Sequence, residues 1–342
     1  MARRALGDAG LEIVQALRGV LPSDGSPLVV ACSGGADSMA LACAAAHLSQ
    51  RGSITSAVRA IVIDHGLQAG SDEVTAQVAE RLRRIGLPAE TGRVQVDRES
   101  PDGMEAAARQ ARYTALAELA GPDAIVLLGH TLDDQAETVL LGLARGSGTR
   151  SLSGMPIAFG IGPRFVRPLL NLRRAATAQA CREWGIDVWS DPHNDDLRFA
   201  RVRVRLSVLP LLEAELGPGV AEALARTAAL ARQDADALDA LAAPLLPASG
   251  EGLSAAELRR MPEAIAARVL RGWLIAGGVE QPSYAHLQAV KTLVDDWHGQ
   301  QGIDLPGGIR AVRESGVLRL KGAARHNYGA RQTEPPPEAR IY

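Results

Sequence analysis

The sequence predicts an α/β chain: a doubly wound, mostly parallel sheet followed by a second, smaller, mainly helical α+β domain. Three observations carry this. Over the first 150 residues short apolar runs alternate with helix-length segments, the pattern of βαβ units with helices on both faces of a parallel sheet. A glycine-rich turn, Ser33-Gly34-Gly35-Ala36-Asp37-Ser38, joins the first apolar run to the first of these helices. From about residue 206 the alternation gives way to a helical, Ala/Leu-rich pattern.

The elements follow in order. LVVAC (28–32) is a strand and Asp37–Gln50 an apolar helix. AIVIDHG (60–66) is a second strand. Ser71, followed by Asp72 and Glu73, reads as the N-cap of a helix that runs to Gly86. ETGRVQV (90–96) is a weaker third strand. Ser100-Pro101 opens the next helix, with proline at its first position. AIVLLGH (124–130) is a fourth strand, and a helix runs from about Leu132 to Gly146. Residues 146–170, rich in Gly, Ser and Pro, read as loop. A helix near 171–184 and a strand near 185–189 extend the sheet. Residues 201–206 alternate Arg with apolar side chains, a period of two that suggests a strand. Residues 223–245 form a long helix, 253–298 two or three helices, and 302–322 short strands with tight turns. The expected division is 1–218 for the α/β domain, 219–247 for a helical linker, 248–322 for the small domain and 323–342 for a disordered tail. Trp273, Leu287 and Trp297 are expected in the small domain's core.

Composition limits the function classes. At 342 residues, 46% hydrophobic and 22% charged, this is a globular chain and not a collagenous, disordered or disulfide-scaffold one. No apolar run reaches the roughly 20 residues of a membrane span. The N-terminus lacks the apolar stretch of a signal peptide. Cys32, Cys43 and Cys181 form no CxxC pair, which fits a reducing cytoplasm and argues against structural zinc or an iron–sulfur cluster. A net charge of −2 excludes a globally basic nucleic-acid binder. Lysine occurs only at 291 and 321, so an N-terminal nucleotide site cannot be a Walker A loop, which needs a lysine after its glycines.

Two constellations carry candidate chemistry. Ser33 to Ser38 lie between a strand and a helix. Glycines let backbone approach a ligand closely, a helix N-terminus offers free N–H groups, and the serines add hydroxyls; together these suit phosphate. Asp37 conflicts with that, since a carboxylate about 4 Å from phosphate costs on the order of 4 kcal/mol at an effective dielectric of 20, unless Mg²⁺ bridges the two. The alternative is a turn whose Asp37 and Ser38 merely cap the helix. The second constellation runs from His130 through Asp133, Asp134 and Glu137. The three acids share one helical face; they suit the helix dipole, or a cation relieves their repulsion. His130 could meet a substrate or bond backbone. Arg145 and Arg150 then flank small residues.

These segments resemble a known family. SGGADS is similar to the SGGxDS pyrophosphate loop of N-type ATP pyrophosphatases, and the whole order of motifs resembles the tRNA(Ile)-lysidine synthetases. HTLDDQAETVLLGLARGSG (130–148), VIDHGL (62–67), EAAARQARYTAL (105–116) and DPHNDDLRFARVRVRLSVLPLL (191–212) each match that family in order. Two positions depart from its pattern: His193 stands for the usual Ser and Val202 for the usual Asn. From its length the chain is not expected to carry the third, tRNA-binding domain of longer members.

The resemblance implies an adenine nucleotide alpha hydrolase-like fold and a cytoplasmic ligase. The wobble cytidine of a CAU-anticodon tRNA(Ile) would be adenylated by ATP and then attacked by L-lysine. It implies ATP binding by Ser33, Gly34, Gly35, Ala36, Asp37, Ser38, Asp64 and His65, with Asp37 on Mg²⁺. Asp134 and Glu137 would hold or deprotonate the lysine ammonium, Arg112 and Arg205 would steady the adenylate, and His130, Asp133, Arg145, Arg201 and Arg203 would meet substrate. It also implies a helix across 201–206. A homodimer stays open. So do a tRNA thiolase, for which the cysteines supply no pair, and a non-catalytic nucleotide- or RNA-binding protein, against which the acids at 133–137 argue.

The arginines give an uneven surface. From Thr138 to Ala180 the chain has Arg145, Arg150, Arg164, Arg167, Arg173 and Arg174 and no acid, with Arg198, Arg201, Arg203 and Arg205 close behind. That is the footprint expected for phosphate contacts, or else for internal pairing. Codon bias also accounts for arginine richness as such. At 3% aromatic residues, base-stacking platforms are not expected.

Overall fold

A computed structural model of the chain describes residues 6–66, 70–96, 103–146, 148–189 and 192–322. Two compact units emerge, the first ending at Ala231 and the second starting at Arg232.

The first unit runs α1 (Asp8–Arg18), β1 (Leu28–Ala31), α2 (Ala36–Gln50), β2 (Val58–Asp64), α3 (Ser71–Arg84), β3 (Ala89–Arg93), α4 (Met104–Ala120), β4 (Ile125–Leu128), α5 (Leu132–Ala144), α6 (Thr149–Leu152), β5 (Ala158–Phe159), β6 (Arg164–Val166), α7 (Arg174–Trp184), α8 (Ala200–Arg203) and α9 (Leu209–Leu216). The sheet has the order β3-β2-β1-β4-β6-β5. All neighbours are parallel except β5 and β6. Leu28 of β1 pairs with Val58 on one side and Ile125 on the other. The chain order reverses at β1, and a parallel sheet opens a crevice at the carboxyl ends of its strands at such a point.

Both faces are covered. One side packs α1, α2, α3 and α7 through Ile13, Leu17, Leu41, Leu48, Val78, Leu82 and Ala180 against Val30, Val62 and Leu127. The other packs Tyr113 and Leu116 of α4 on Val29, Ile61, Val126 and Leu128. There Tyr113, Phe159 and Phe165 meet ring to ring, with centroids 5.0–5.8 Å apart. Helix α2 is buried nearly all round, through Met39 to Ala46 and Leu48, which explains its almost unbroken apolar sequence.

Several expectations change. Residues 146–170 are not all loop: α6, β5 and β6 lie there. The extra strands come from this stretch, whereas residues 185–189 form no strand. Two and three residues are too short to show a periodicity. Helix α1 has no counterpart in the sequence reading. Ser71 is not an N-cap; Gly70 holds that place with φ +79 and Ser71 is the first helical residue. Ser100-Pro101 and the tail from Ala323 lie outside the described residues, and α4 begins at Met104 after Gly103. Residues 201–206 are helical, as the resemblance implies and against their period of two: α8 passes into a π turn, Val204–Val208, and then into α9. Pro210 explains the widened turn, because it has no N–H to give and its ring crowds the preceding turn. Val202, where the resemblance expects an amide, is a buried apolar side chain.

Helix α10 (Val220–Ala242) crosses from the first unit into the second. The second unit continues with β7 (Leu253–Ser254), α11 (Ala255–Arg260), α12 (Glu263–Ala276), α13 (Tyr284–Asp295), β8 (Ile303–Leu305), β9 (Ile309–Glu314) and β10 (Val317–Lys321). Its antiparallel sheet has the order β7-β10-β9-β8. Ser315 and Gly316, at φ +48 and +82, make the two-residue turn between β9 and β10, as the twist of a hairpin requires. Val269, Trp273, Leu274, Val290, Leu293 and Leu318 form its core, with Leu287 packed against them. Trp297 is 37% exposed rather than core, with Arg313 over its ring at 5.4 Å.

Candidate active site

A cleft of about 540 Å³ opens at the carboxyl ends of β1, β2 and β4. Ser33, Gly35, Ala36, Asp37, Ser38, His65, Arg112, His130, Asp134 and Arg205 line it. Ten of the residues expected from sequence thus converge from five separate segments.

The phosphate-loop candidate is internally braced. Ser38 Oγ accepts from the Ser33 N–H at 3.2 Å and donates to Gly35 O at 3.0 Å. Neither Asp37 nor Ser38 caps α2; Gly35 is the N-cap and no side chain bonds it. The first-turn N–H groups are therefore left for a ligand. Gly34 sits at φ +88, and a Cβ there would lie 2.5 Å from Val78 Cγ2. Its carbonyl accepts from the Trp189 N–H at 2.9 Å. Gly34→Ala is accordingly expected to lower ATP turnover at least about tenfold through strain of roughly 1–3 kcal/mol. Val78→Ala added to it should restore only the steric part, as steady-state AMP release from the single and double variants will show. Gly129 is equally constrained: a Cβ would stand 3.0 Å from the backbone of Asp37 and Ser38, so the turn after β4 can press on the start of α2.

The acids are paired by arginine. Asp37 Oδ1 accepts from the Thr177 hydroxyl, and Asp37 Oδ2 lies 3.4 Å from Arg174 Nε. Burial raises the Asp37 carboxyl above its ordinary range; Thr177 and Arg174 offset part of this, and Asp134 adds to it. Asp134 Oδ2 accepts from both the N–H and the hydroxyl of Thr131 at 2.8 Å, a capping box for α5. Its Oδ1 accepts from Arg174 Nη2 at 2.7 Å. Burial alone would raise Asp134, but Arg174 and Arg201 outweigh it and hold the carboxyl well below the usual range.

Glu137 is 0% exposed. Arg174 Nη1 reaches it at 3.2 Å, Arg201 Nε at 2.9 Å, and Arg205 Nε and Nη2 at 2.8 and 3.1 Å. Both oxygens are engaged and the carboxylate lies outside the cleft lining, so it anchors arginines, two of which, Arg174 and Arg205, line the cleft. The cation that relieves the acids is thus guanidinium, and of the two readings open for the arginine run, phosphate contacts or internal pairing, these side chains follow the second.

Other expected residues lie elsewhere. Asp133 accepts from the Arg174 N–H at 2.7 Å and pairs with Arg173 at 3.4 Å, which makes it a cap for α7, away from the cleft lining. Arg145 is exposed at the end of α5. Arg203 is exposed and donates to Leu197 O and Arg198 O. Asp64 is buried, accepts from the Gly66 N–H at 2.8 Å and from Ser71, and lies 3.7 Å from Arg93. It supports the strand end that carries His65. Internal pairing also accounts for Arg173, which meets Asp133, Glu213 and Glu222. Arg164 and Arg198 remain on the surface.

The sequence reading names Arg174 only as part of the arginine run and does not single out Thr177, Trp189 or Asn194. The last two line the cleft with Arg174. Arg174 had one available signal, an arginine pair directly before a helix in an acid-free stretch. On the inner wall Arg109 stands over the Tyr113 ring at 5.1 Å, and Arg112 at 5.5 Å. Burial, with Arg112, Arg201 and Arg167 nearby, brings Arg109 down to about 10; it stays cationic at neutral pH.

The donor set suits Mg²⁺. Among the described residues no three His, Cys, Asp or Glu side chains form a metal cage, but Mg²⁺ is commonly held by one or two carboxylates, substrate phosphates and its own waters. Asp37, its side chain 24% exposed beside the phosphate-loop candidate, supplies such a carboxylate.

A family described as PP-loop domain matches residues 11–212, and one described as TilS substrate binding domain matches residues 253–319. A tRNA(Ile)-lysidine synthase of Leifsonia xyli subsp. xyli is 50% identical over 304 residues, covering 86% of this chain and 89% of its own. The chain belongs to the tRNA(Ile)-lysidine synthase family. Within that family, a Streptomyces coelicolor member is 50% identical over 306 residues, covering 86% of each chain. A Mycobacterium bovis member is 48% identical over 306 residues, covering 85% of this chain and 90% of its own. Among solved structures the U34-tRNA thiolase NcsA of Methanococcus maripaludis superposes with a TM-score of 0.52 at 15% identity, covering 64% of this chain and 78% of that one. At that identity it shows a shared fold.

Proposed function

We propose that the chain uses ATP to join L-lysine to the wobble cytidine of a CAU-anticodon tRNA(Ile), forming lysidine. One observation carries this: in a member of that family, the glycine-rich turn, His130, Asp134 and the arginines of α7 and the π turn meet in one cleft. The base oxygen attacks the α-phosphorus of ATP and pyrophosphate leaves. The lysine amine, having lost a proton, then attacks the base carbon and AMP leaves.

Ser33 to Ser38 hold the phosphates through backbone N–H groups and hydroxyls. Asp37 would hold Mg²⁺, which when bound neutralises phosphate charge. Arg112 and Arg205 line the cleft and steady the negative charge of the adenylate. Of the acids at 133–137, Asp134 is the one that lines the cleft; it would exchange its Arg174 contact for the incoming ammonium, while Glu137 acts from beneath through Arg174, Arg201 and Arg205. No described helix is long and apolar enough to cross a membrane, and a tRNA substrate supports a cytoplasmic reaction.

The test uses the full chain with Mg²⁺, ATP, labelled lysine and a CAU-anticodon tRNA(Ile) transcript, followed by nuclease digestion and mass analysis. Lysidine in step with AMP is the expected product. AMP without lysidine would reassign the amine donor or RNA, and a folded protein that consumes no ATP would overturn the phosphate-loop assignment.

A further inference from the structure

Arg167 follows β6 and is 2% exposed. Its position is fixed from several sides. Nη1 donates to Pro156 O at 2.6 Å, the guanidinium stacks 4.4 Å from the Phe159 ring centre, and Tyr113 takes a further hydrogen bond. Its Nε donates to His130 Nδ1 at 3.3 Å. A guanidinium has five N–H donors, no acceptor, and remains protonated. The atom facing it must therefore be a lone pair. For His130 that leaves the neutral ring with its proton on Nε2, since an imidazolium would set N–H against N–H beside a fixed cation.

His130 lines the cleft, and among the described residues Nε2 has no protein partner. We propose that Arg167 is a positioning residue: by claiming Nδ1 it turns His130 into a hydrogen-bond donor at Nε2, aimed at a phosphate or carbonyl oxygen of the bound substrates, and bars it from acting as a base. Burial, then Arg167, also hold the ring well below its ordinary titration range, against the pull of Asp134. The identity of the oxygen rests on the proposed function; the tautomer does not. A donor fixed before substrate arrives costs no reorganisation during reaction.

The experiment labels the histidines of the full chain with ¹⁵N and records long-range ¹H–¹⁵N correlations, with His130→Gln marking the His130 signals. A bare Nδ1 and a protonated Nε2 are expected near neutral pH. In Arg167→Met the pattern should move toward the other tautomer. A protonated Nδ1 in the wild type, or an unchanged pattern in Arg167→Met, overturns the proposal. Should Arg167→Met not fold, the wild-type spectrum alone still decides. The activity arm compares two substitutions. Glutamine offers an N–H donor near the Nε2 position, so His130→Gln should keep turnover within about tenfold of wild type, while His130→Ala loses about 100-fold, as for one oxyanion donor. Equal loss in both would mean a base and sink the idea. If even the wild type makes no lysidine, the functional reading fails while the tautomer result stands.

Discussion

Asp37→Ala abolishes the conversion of ATP to AMP and leaves the fold in place. Asp37 is the one carboxylate within the glycine-rich turn, at the first turn of α2 and on the cleft wall. Its protein partners are one hydroxyl, Thr177, and one edge of Arg174. Burial already works against its charge, so removing it should change stability by no more than about 1 kcal/mol. The catalytic loss is of another order. Without this side chain the turn has donors for phosphate but nothing to hold a cation against it, and a fall of at least about 1,000-fold is expected. AMP release in the presence of tRNA and lysine, beside a thermal melt of the same preparation, separates the two effects. Turnover at the wild-type rate would remove Asp37 from the role of cation holder.

Glu137→Gln should do the reverse and damage stability first. The acid is fully buried and accepts from three guanidinium groups carried by α7, α8 and the π turn. Glutamine fills the same volume but carries no charge, and half of its head group donates. Three cations would then crowd an N–H₂ group. Removing one member of a buried ion cluster costs about 3–5 kcal/mol, a drop on the order of 10 °C in the melting of the first unit. Arg174 and Arg205 line the cleft, so turnover should fall by about 100-fold even below the new melting point. A variant with unchanged melting would show that the arginines find other acceptors and that Glu137 is not their anchor.

The parts of the site legible in sequence are those made by consecutive residues. Ser33 to Ser38 and His130 to Glu137 each sit at a strand end that opens a helix, where chain geometry itself exposes N–H groups and side chains. What stayed hidden depends on approach through space. Arg174 is 37 positions from Glu137 and 137 from Asp37, and nothing local marks it as their partner. The same holds for Arg167, whose neighbours Phe159 and Tyr113 come from a strand of two residues and a distant helix. An arginine-rich stretch free of acids looks like an RNA surface until the acids that meet it are seen to come from α5. The parallel core was plain from its apolar runs, while β5 and β6 were too short to leave a period.

Both lysines lie in the second unit, Lys291 against Glu263 and Lys321 against Glu314. The positive side chains of the first unit are therefore arginine and histidine. A guanidinium keeps its protons and has no lone pair to offer, whereas an ε-amine becomes a nucleophile once deprotonated. A base activated as its adenylate in this cleft meets no lysine side chain carried by the first unit. Within that unit self-capture, the wasteful branch open to any enzyme that handles an electrophile destined for an amine, is closed by composition. The same property gives a chemical handle: apart from the α-amino group, amine-directed acylating reagents would mark the second unit and leave the catalytic one untouched.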